Sequence, residues 1–109
     1  MNDEIASSAF AALGHPNRIR VLRMLVRARP DGLTVTSLRE RLGVPATTFA
    51  HHLKALAEAK LVIQDKRGRE LYSTANYPLI RDLASFLMVE CCVDSACPPQ
   101  IMETEKDLS

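Results

Sequence analysis

TVTSLRERLGVPATTFAHHLKALAEAKLV, residues 34–62, is the stretch whose reading decides the fold. Thr34 to Leu42 is a short helical pattern, with Thr34 or Thr36 placed to cap its start and Gly43 to end it. Gly43-Val44-Pro45 is a tight turn, in which the glycine supplies a left-handed backbone. Pro45 stands where the next helix begins. That helix runs from Ala46 to about Lys60, with Phe49, Leu53, Leu56 and Ala57 on one apolar stripe. The hydrophobic period then switches. Leu61 to Lys66 reads as a strand, Arg67-Gly68 as a turn, and Arg69 to Thr74 as the return strand of a hairpin with a basic tip. Two short helices on a tight turn, followed by such a hairpin, make a winged helix-turn-helix.

Upstream, Glu4 to Leu13 is an Ala-rich helix with Ile5, Ala9, Ala12 and Leu13 on one stripe, closed by Gly14. Pro16 sits in the first turn of a second helix. That helix sets Ile19, Leu22, Met24, Leu25 and Val26 against Arg18, Arg20, Arg23 and Arg27, and stops before the Pro30-Asp31-Gly32 turn. Downstream, Pro78 starts a last helix with Leu79, Ile80, Leu83, Phe86 and Leu87 on one face and Glu90 near its end; Pro98-Pro99 closes it. The expected fold is mainly α, an α+β winged helix, in the order helix, helix, helix, helix, β-hairpin, helix. Residues 1–92 are expected to form a winged helix-turn-helix domain for DNA binding and dimerisation. Residues 93–109 are expected to be a flexible C-terminal tail carrying Cys97.

A chain of 109 residues is most simply one domain with a modest core, which association with a second copy would enlarge. Its five aromatics include no Trp, which argues against a stacking platform for single-stranded nucleic acid. The net charge of +1 hides an asymmetry. Residues 15–75 carry twelve Lys and Arg against five acids, whereas the two ends carry two bases against eight acids. A basic middle suits a nucleic-acid contact, although a solvated charged surface would look the same. No apolar run approaches the ~20 residues that span a bilayer, and no signal-peptide pattern opens the chain, so a cytoplasmic protein without membrane contact is expected. An enzyme is not expected. There is no nucleophile–base–acid set and no phosphate-cradling glycine loop, and His15 is more simply a turn or cap residue.

On the helix from Ala46, the face opposite the apolar stripe carries Ala46, Thr47, Thr48, Ala50, His51 and Lys54. N-terminal residues of such a helix reach base edges in the major groove. Thr and Ala side chains suit bases and thymine methyls there, and Lys54 suits a phosphate. Arg67 and Arg69 at the hairpin tip would grip the backbone or enter the minor groove. His51-His52 has a plainer reading too, in which one ring packs and the other makes a hydrogen bond. Neither has a second ligand at useful spacing for a metal.

The run Ala11-Ala12-Leu13-Gly14-His15-Pro16-Asn17-Arg18-Ile19-Arg20-Val21-Leu22 resembles the opening of ArsR/SmtB repressors. Thr47 to Leu56 resembles their recognition helix, Glu58-Ala59-Lys60-Leu61-Val62 their entry to the wing, and Arg67-Gly68-Arg69 their wing tip. The resemblance covers about residues 5–90. Pro45 and Ala50 stand where the family often has Ser, which bears on which operator bases are read. The resemblance implies a homodimer formed through the first and last helices. Ile5, Ala9, Leu79, Leu83, Phe86 and Leu87 would lie at that interface, and the dimer would bind a double-stranded operator with an inverted repeat. The wide apolar face of the last helix, with little in so small a domain to cover it, agrees.

Sensor sites vary within this family. The segment from Thr34 to Leu42 has no Cys, Asp82 has no matching His, and the second helix has no Cys to share a redox pair. Cys91, Cys92 and Cys97 remain, and they resemble a variant in which three C-terminal thiolates bind As(III). Three thiolates with no His nearby suit a soft three-coordinate ion, As(III) or Sb(III), as inducer. No cofactor is expected for folding. Zinc or cadmium stays open if Glu90, Asp94 or a partner chain supplies a fourth ligand. So do a thiol redox or persulfide switch, a shared iron–sulfur cluster and a chance cluster. On a continuous helix Cys91 and Cys92 diverge by about 100°, and Cys92 and Cys97 lie about 7.5 Å apart along the axis. The helix must therefore unwind past Cys92, near Asp94 and Ser95, or the ligands must come from two chains.

Overall fold

Four of the five described helices start on a polar side chain that accepts from a first-turn amide. In the computed structural model, which describes residues 1–95, the Asn2 side chain accepts from the Ile5 amide at 2.8 Å and opens α1, Asp3–Ala12. His15 Nδ1 accepts from the Asn17 amide at 3.1 Å and opens α2, Pro16–Arg27, with Pro16 in its first turn as expected. Thr34 Oγ1 accepts from the Ser37 amide at 3.1 Å and opens α3, Val35–Leu42. Gly43 closes α3 in the left-handed conformation, φ 72°. The recognition helix α4 spans Ala46–Glu58 and no side chain caps its first turn. The Asn76 side chain opens α5, Tyr77–Met88.

The strands add an element that the sequence did not suggest. Besides β2, Val62–Arg67, and β3, Glu70–Ala75, a two-residue strand β1, Leu33–Thr34, pairs antiparallel with β3, in the sheet order β1-β3-β2. The wing is thus rooted in a three-stranded sheet rather than a free hairpin. Arg67 pairs with Glu70, which moves the turn to Gly68-Arg69, one residue later than expected. Gly68 takes φ 63° there.

The core lies where α2, α3, α4 and the sheet root meet. Val21, Leu25, Leu38, Leu56 and Leu61 are fully buried in it. Such residues contribute about 1.5–3 kcal/mol each by leaving water. Three expectations change. The buried face of α1 is Ala6, Ala9 and Ala12, while Ile5 is half exposed; alanines let α1 lie close to α4. Helix α4 stops at Glu58, because Lys60 turns left-handed at φ 67°. Helix α5 stops at Met88, so Cys91 and Cys92 lie beyond it rather than on its last turn.

Candidate nucleic-acid interface and thiol segment

The reversal at Gly43 sets α4 across the molecule with two distinct faces. Phe49, His52, Leu53 and Leu56 are buried. Ala46, Thr47, Thr48, Ala50, His51 and Lys54, the residues expected to meet DNA, are all exposed. The first amides of α4 have no side-chain cap, and such amides suit an anionic oxygen. An open groove of about 530 Å³ separates α4 from the sheet, lined by Val35, Arg39, Phe49, Lys54, Gln64 and Leu71 among others.

His52 answers the question the paired histidines posed. It both packs and hydrogen-bonds, while His51 stays exposed. Only 4% of His52 is accessible. Arg18 Nε donates to its Nδ1 at 3.1 Å, and Arg18 Nη1 donates to the Ala12 carbonyl at 3.4 Å. One arginine thus joins the end of α1, the start of α2 and the middle of α4. The His15 ring lies 4.4 Å from that of His52, centroid to centroid. Burial, then the charges of His15, Arg18 and His51, push the His52 pKa below its ordinary value. A neutral His52 that accepts at Nδ1 carries its proton on Nε2, and that atom is buried with no hydrogen-bond partner among the described residues. Metal binding through Nε2 would require Nδ1 to surrender the Arg18 bond.

The two wing arginines differ. Arg69 is exposed in the turn. Arg67 is held on three sides. Its Nε donates to Asp65 Oδ2 at 3.0 Å, its Nη1 to the Asp31 carbonyl at 2.9 Å, and its guanidinium lies 4.4 Å from the Tyr72 ring centroid. Asn76 ties α5 to the end of the recognition helix. Its amide donates to the Leu61 carbonyl at 2.9 Å and its Nδ2 to the Lys60 carbonyl at 2.7 Å, while its Oδ1 receives the Leu79 amide. Neither role was anticipated. For Asn76 the signal was present, an Asn just ahead of a proline in a helix's first turn.

Of the residues expected at a dimer interface, Ile5 and Leu87 are exposed, Leu79 and Phe86 are half-buried, and Ala9 and Leu83 are buried within the single chain. Ala9 supports the face from beneath, and Leu83 reaches it only as part of the lining of an apolar hollow. Phe10 and Met88 are exposed on the same two helices. Between them an apolar hollow of about 260 Å³ is lined by Phe10, Leu13, Leu22, Ile80 and Leu87 among others. No described helix is long and apolar enough to cross a membrane.

Past Met88 the chain proceeds by single turns. The Cys91 amide donates to the Met88 carbonyl and the Ser95 amide to the Cys92 carbonyl. Cys92 sits at φ 66°, which only glycine adopts without strain. That kink brings together two side chains that a helix would splay, with Cys91 Sγ 3.4 Å from Cys92 Sγ. Cys91 is an exposed free thiol, and Cys92 is disulfide-bonded. Cys97, the third expected ligand, lies outside the described residues. Among the described residues no three His, Cys, Asp or Glu side chains are grouped to hold a metal.

Residues 13–65 match a family model described as a helix-turn-helix domain. Among solved structures, an ArsR-like transcriptional regulator from Rhodococcus sp. RHA1 is 34% identical, covers 77% of this chain and 76% of its own, and superposes with a TM-score of 0.68. The homodimeric winged helix-turn-helix DNA-binding domain Mb0332 from Mycobacterium bovis, a possible ArsR-family regulator, has the same fold. It is 21% identical over 82% of this chain and 86% of its own, with a TM-score of 0.65. The transcriptional repressor SdpR of Bacillus subtilis is 21% identical over 75% of this chain and 88% of its own length.

Proposed function

This chain belongs to the ArsR/SmtB family of winged helix-turn-helix transcriptional regulators, and from that premise we propose that it represses transcription as a homodimer and leaves its operator when arsenite or antimonite is bound by Cys91, Cys92 and Cys97. Its work is regulation through DNA rather than catalysis.

The exposed face of α4 supports the DNA reading. It presents Thr47, Thr48, Ala50 and His51 for base edges and Lys54 for a phosphate, with Arg69 on the wing. The exposed Ile5, Phe10, Leu87 and Met88 on α1 and α5 support the dimer, as does the homodimeric state of the Mycobacterium bovis domain. Two-fold symmetry of that pair implies an operator with an inverted repeat.

The observation that carries the sensor reading is the 3.4 Å separation of the Cys91 and Cys92 sulfurs. Once the Cys92 disulfide is reduced, two thiolates this close can share one soft ion, and thiolate donors suit As(III) or Sb(III) chemically. Cys97 would supply the third sulfur. Because these residues follow directly on α5, ligation would shift the dimer face and with it the spacing of the two recognition helices. Coupling of this kind typically amounts to ~1–3 kcal/mol, about 5- to 150-fold in DNA affinity.

The disulfide at Cys92 favours a second reading, in which oxidation or persulfidation of the same thiols is the signal. Fluorescence anisotropy on DNA from upstream of the chain's own gene, with pre-reduced protein under anaerobic conditions, separates the two. Release by sodium arsenite, lost in a Cys91/Cys92/Cys97 triple Ser variant, is the expected result. Release by peroxide or persulfide with no response to arsenite overturns the ion reading in favour of the second. Release by zinc or cadmium alone overturns both.

A further inference from the structure

Directly opposed residues on paired strands point to the same side of a sheet. Lys66 opposes Leu71 and Gln64 opposes Ser73, and Gln64 and Leu71 line the groove beside α4. Those residues therefore face the recognition helix. Arg67, Asp65 and Tyr72 alternate with them, so they occupy the opposite face of the sheet, turned away from α4.

On that outer face Arg67 starts from the edge strand β2 and passes over Tyr72 of β3. It ends on the Asp31 carbonyl, just before β1. One guanidinium thus reaches from β2 across β3 to the turn that leads into β1, with Asp65 closing the near end at 3.0 Å. The far end is fixed too. Gly32 adopts φ +79°, and a Cβ there would run into the Ser73 carbonyl and Thr74 Cγ2. The turn that presents the Asp31 carbonyl is therefore pressed against β3. Arg29, two residues earlier, lies 4.0 Å over the Tyr77 ring at the start of α5.

We propose that Arg67 is a positioning residue, which sets the pitch of the wing by strapping β2 to the Asp31 turn, and that Arg69 and Lys66 make the wing's contacts with DNA. Only a planar guanidinium offers donors in two directions and a flat face for the ring at once; an ammonium has the charge without the fork. The inference rests on the DNA-binding reading above and assigns work within it.

Salt dependence separates a strap from a phosphate contact. Each phosphate neutralised adds about one to the slope of log affinity against log salt. We would titrate a fluorescein-labelled duplex from upstream of the chain's own gene, between about 50 and 200 mM salt, with the full chain and its variants. The strap predicts that Arg67→Ala and Arg67→Lys both weaken binding by about tenfold with the slope unchanged, whereas Arg69→Ala lowers the slope by about one. It predicts only small drops in melting temperature for all three, because these side chains are exposed and lie outside the core. Asp65→Ala gives an independent arm, because it removes the acceptor as well as the charge. Removing a negative charge beside DNA tightens binding on charge alone, whereas loss of the strap weakens it. A slope that falls by about one in Arg67→Ala, together with near-normal binding by Arg67→Lys, makes Arg67 a phosphate contact and overturns the proposal. Tighter binding by Asp65→Ala does so as well. A wild-type chain that binds neither this duplex nor random-sequence DNA at low salt overturns the DNA-binding reading itself, and with it the wing's role on DNA.

Discussion

The recognition helix and the segment after Met88 both carry side chains chosen for chemistry, but they are held in opposite ways. Helix α4 is fixed by Phe49, Leu53 and Leu56 in the core and by the bond from Arg18 to His52. Its exposed residues inherit their directions from that buried side. Cys91 and Cys92 follow a helix that has already ended, and they are held by single-turn hydrogen bonds, one left-handed residue and the disulfide at Cys92 rather than by core packing. A reading surface gains from rigidity, since operator bases do not move to meet it. For the proposed sensor, a place outside the core lets ligation reshape the segment without disturbing that packing.

The largest test of this contrast is in stability. Leu56 is fully buried, and Leu56→Ala is expected to cost about 2–5 kcal/mol in chemical denaturation. Cys91 is exposed, and Cys91→Ser is expected to change stability by less than about 0.5 kcal/mol. A Cys91→Ser variant that loses as much as Leu56→Ala would mean that the thiol segment is part of the core's support, and the contrast would fail. Gly32→Ala comes next, at about 1–3 kcal/mol, from its left-handed backbone and the collision with β3. Measured on the same denaturation curves, it reports how firmly the wing root is clamped; a neutral result would mean that the turn moves freely away from β3.

Legibility in the sequence follows the same division. The α3 cap at Thr34, the turn at Gly43 and the apolar stripe of α4 are local signals, each complete within a few residues, and the structure has all three. Strand β1 was not legible, because two residues cannot show an alternating period and Thr34 already reads as a helix cap. The partner of His52 lies 34 residues away and that of Arg67 lies 36 residues away, so neither bond leaves a mark in local spacing. Arg67 consequently read as a second tip arginine. The end of α5 at Met88 was hidden for another reason. Val89 and Glu90 continue the helical pattern, and a left-handed Cys92 has no sequence signature. The expected unwinding is there, but it begins ahead of the cysteines instead of after them.

A smaller effect sharpens the comparison from the side of the recognition helix. His52 has a lowered pKa when folded and is expected to regain its ordinary value of about 6.5 when unfolded. Above that value both states are neutral at this site and pH has no effect through it. As the pH falls through it, the unfolded chain takes up a proton that the folded chain refuses, so stability falls, by at most about 1.4 kcal/mol per pH unit. Burial is the largest cause of the shift, and the charges of His15 at the cap of α2, Arg18 on α2 and His51 on α4 itself add to it. Protonation would fall on Nδ1, where Arg18 donates, so the same proton cuts the bond that seats α4. Denaturation curves between about pH 7.5 and 5.5 should therefore show a loss of stability in the wild type below pH 6.5. That loss should be absent in His52→Asn, whose side-chain oxygen can stand where Nδ1 stood and does not titrate. Stability that is flat or rising on acidification in the wild type, or an equal loss in His52→Asn, would show that the seam between α2 and α4 does not depend on a neutral His52.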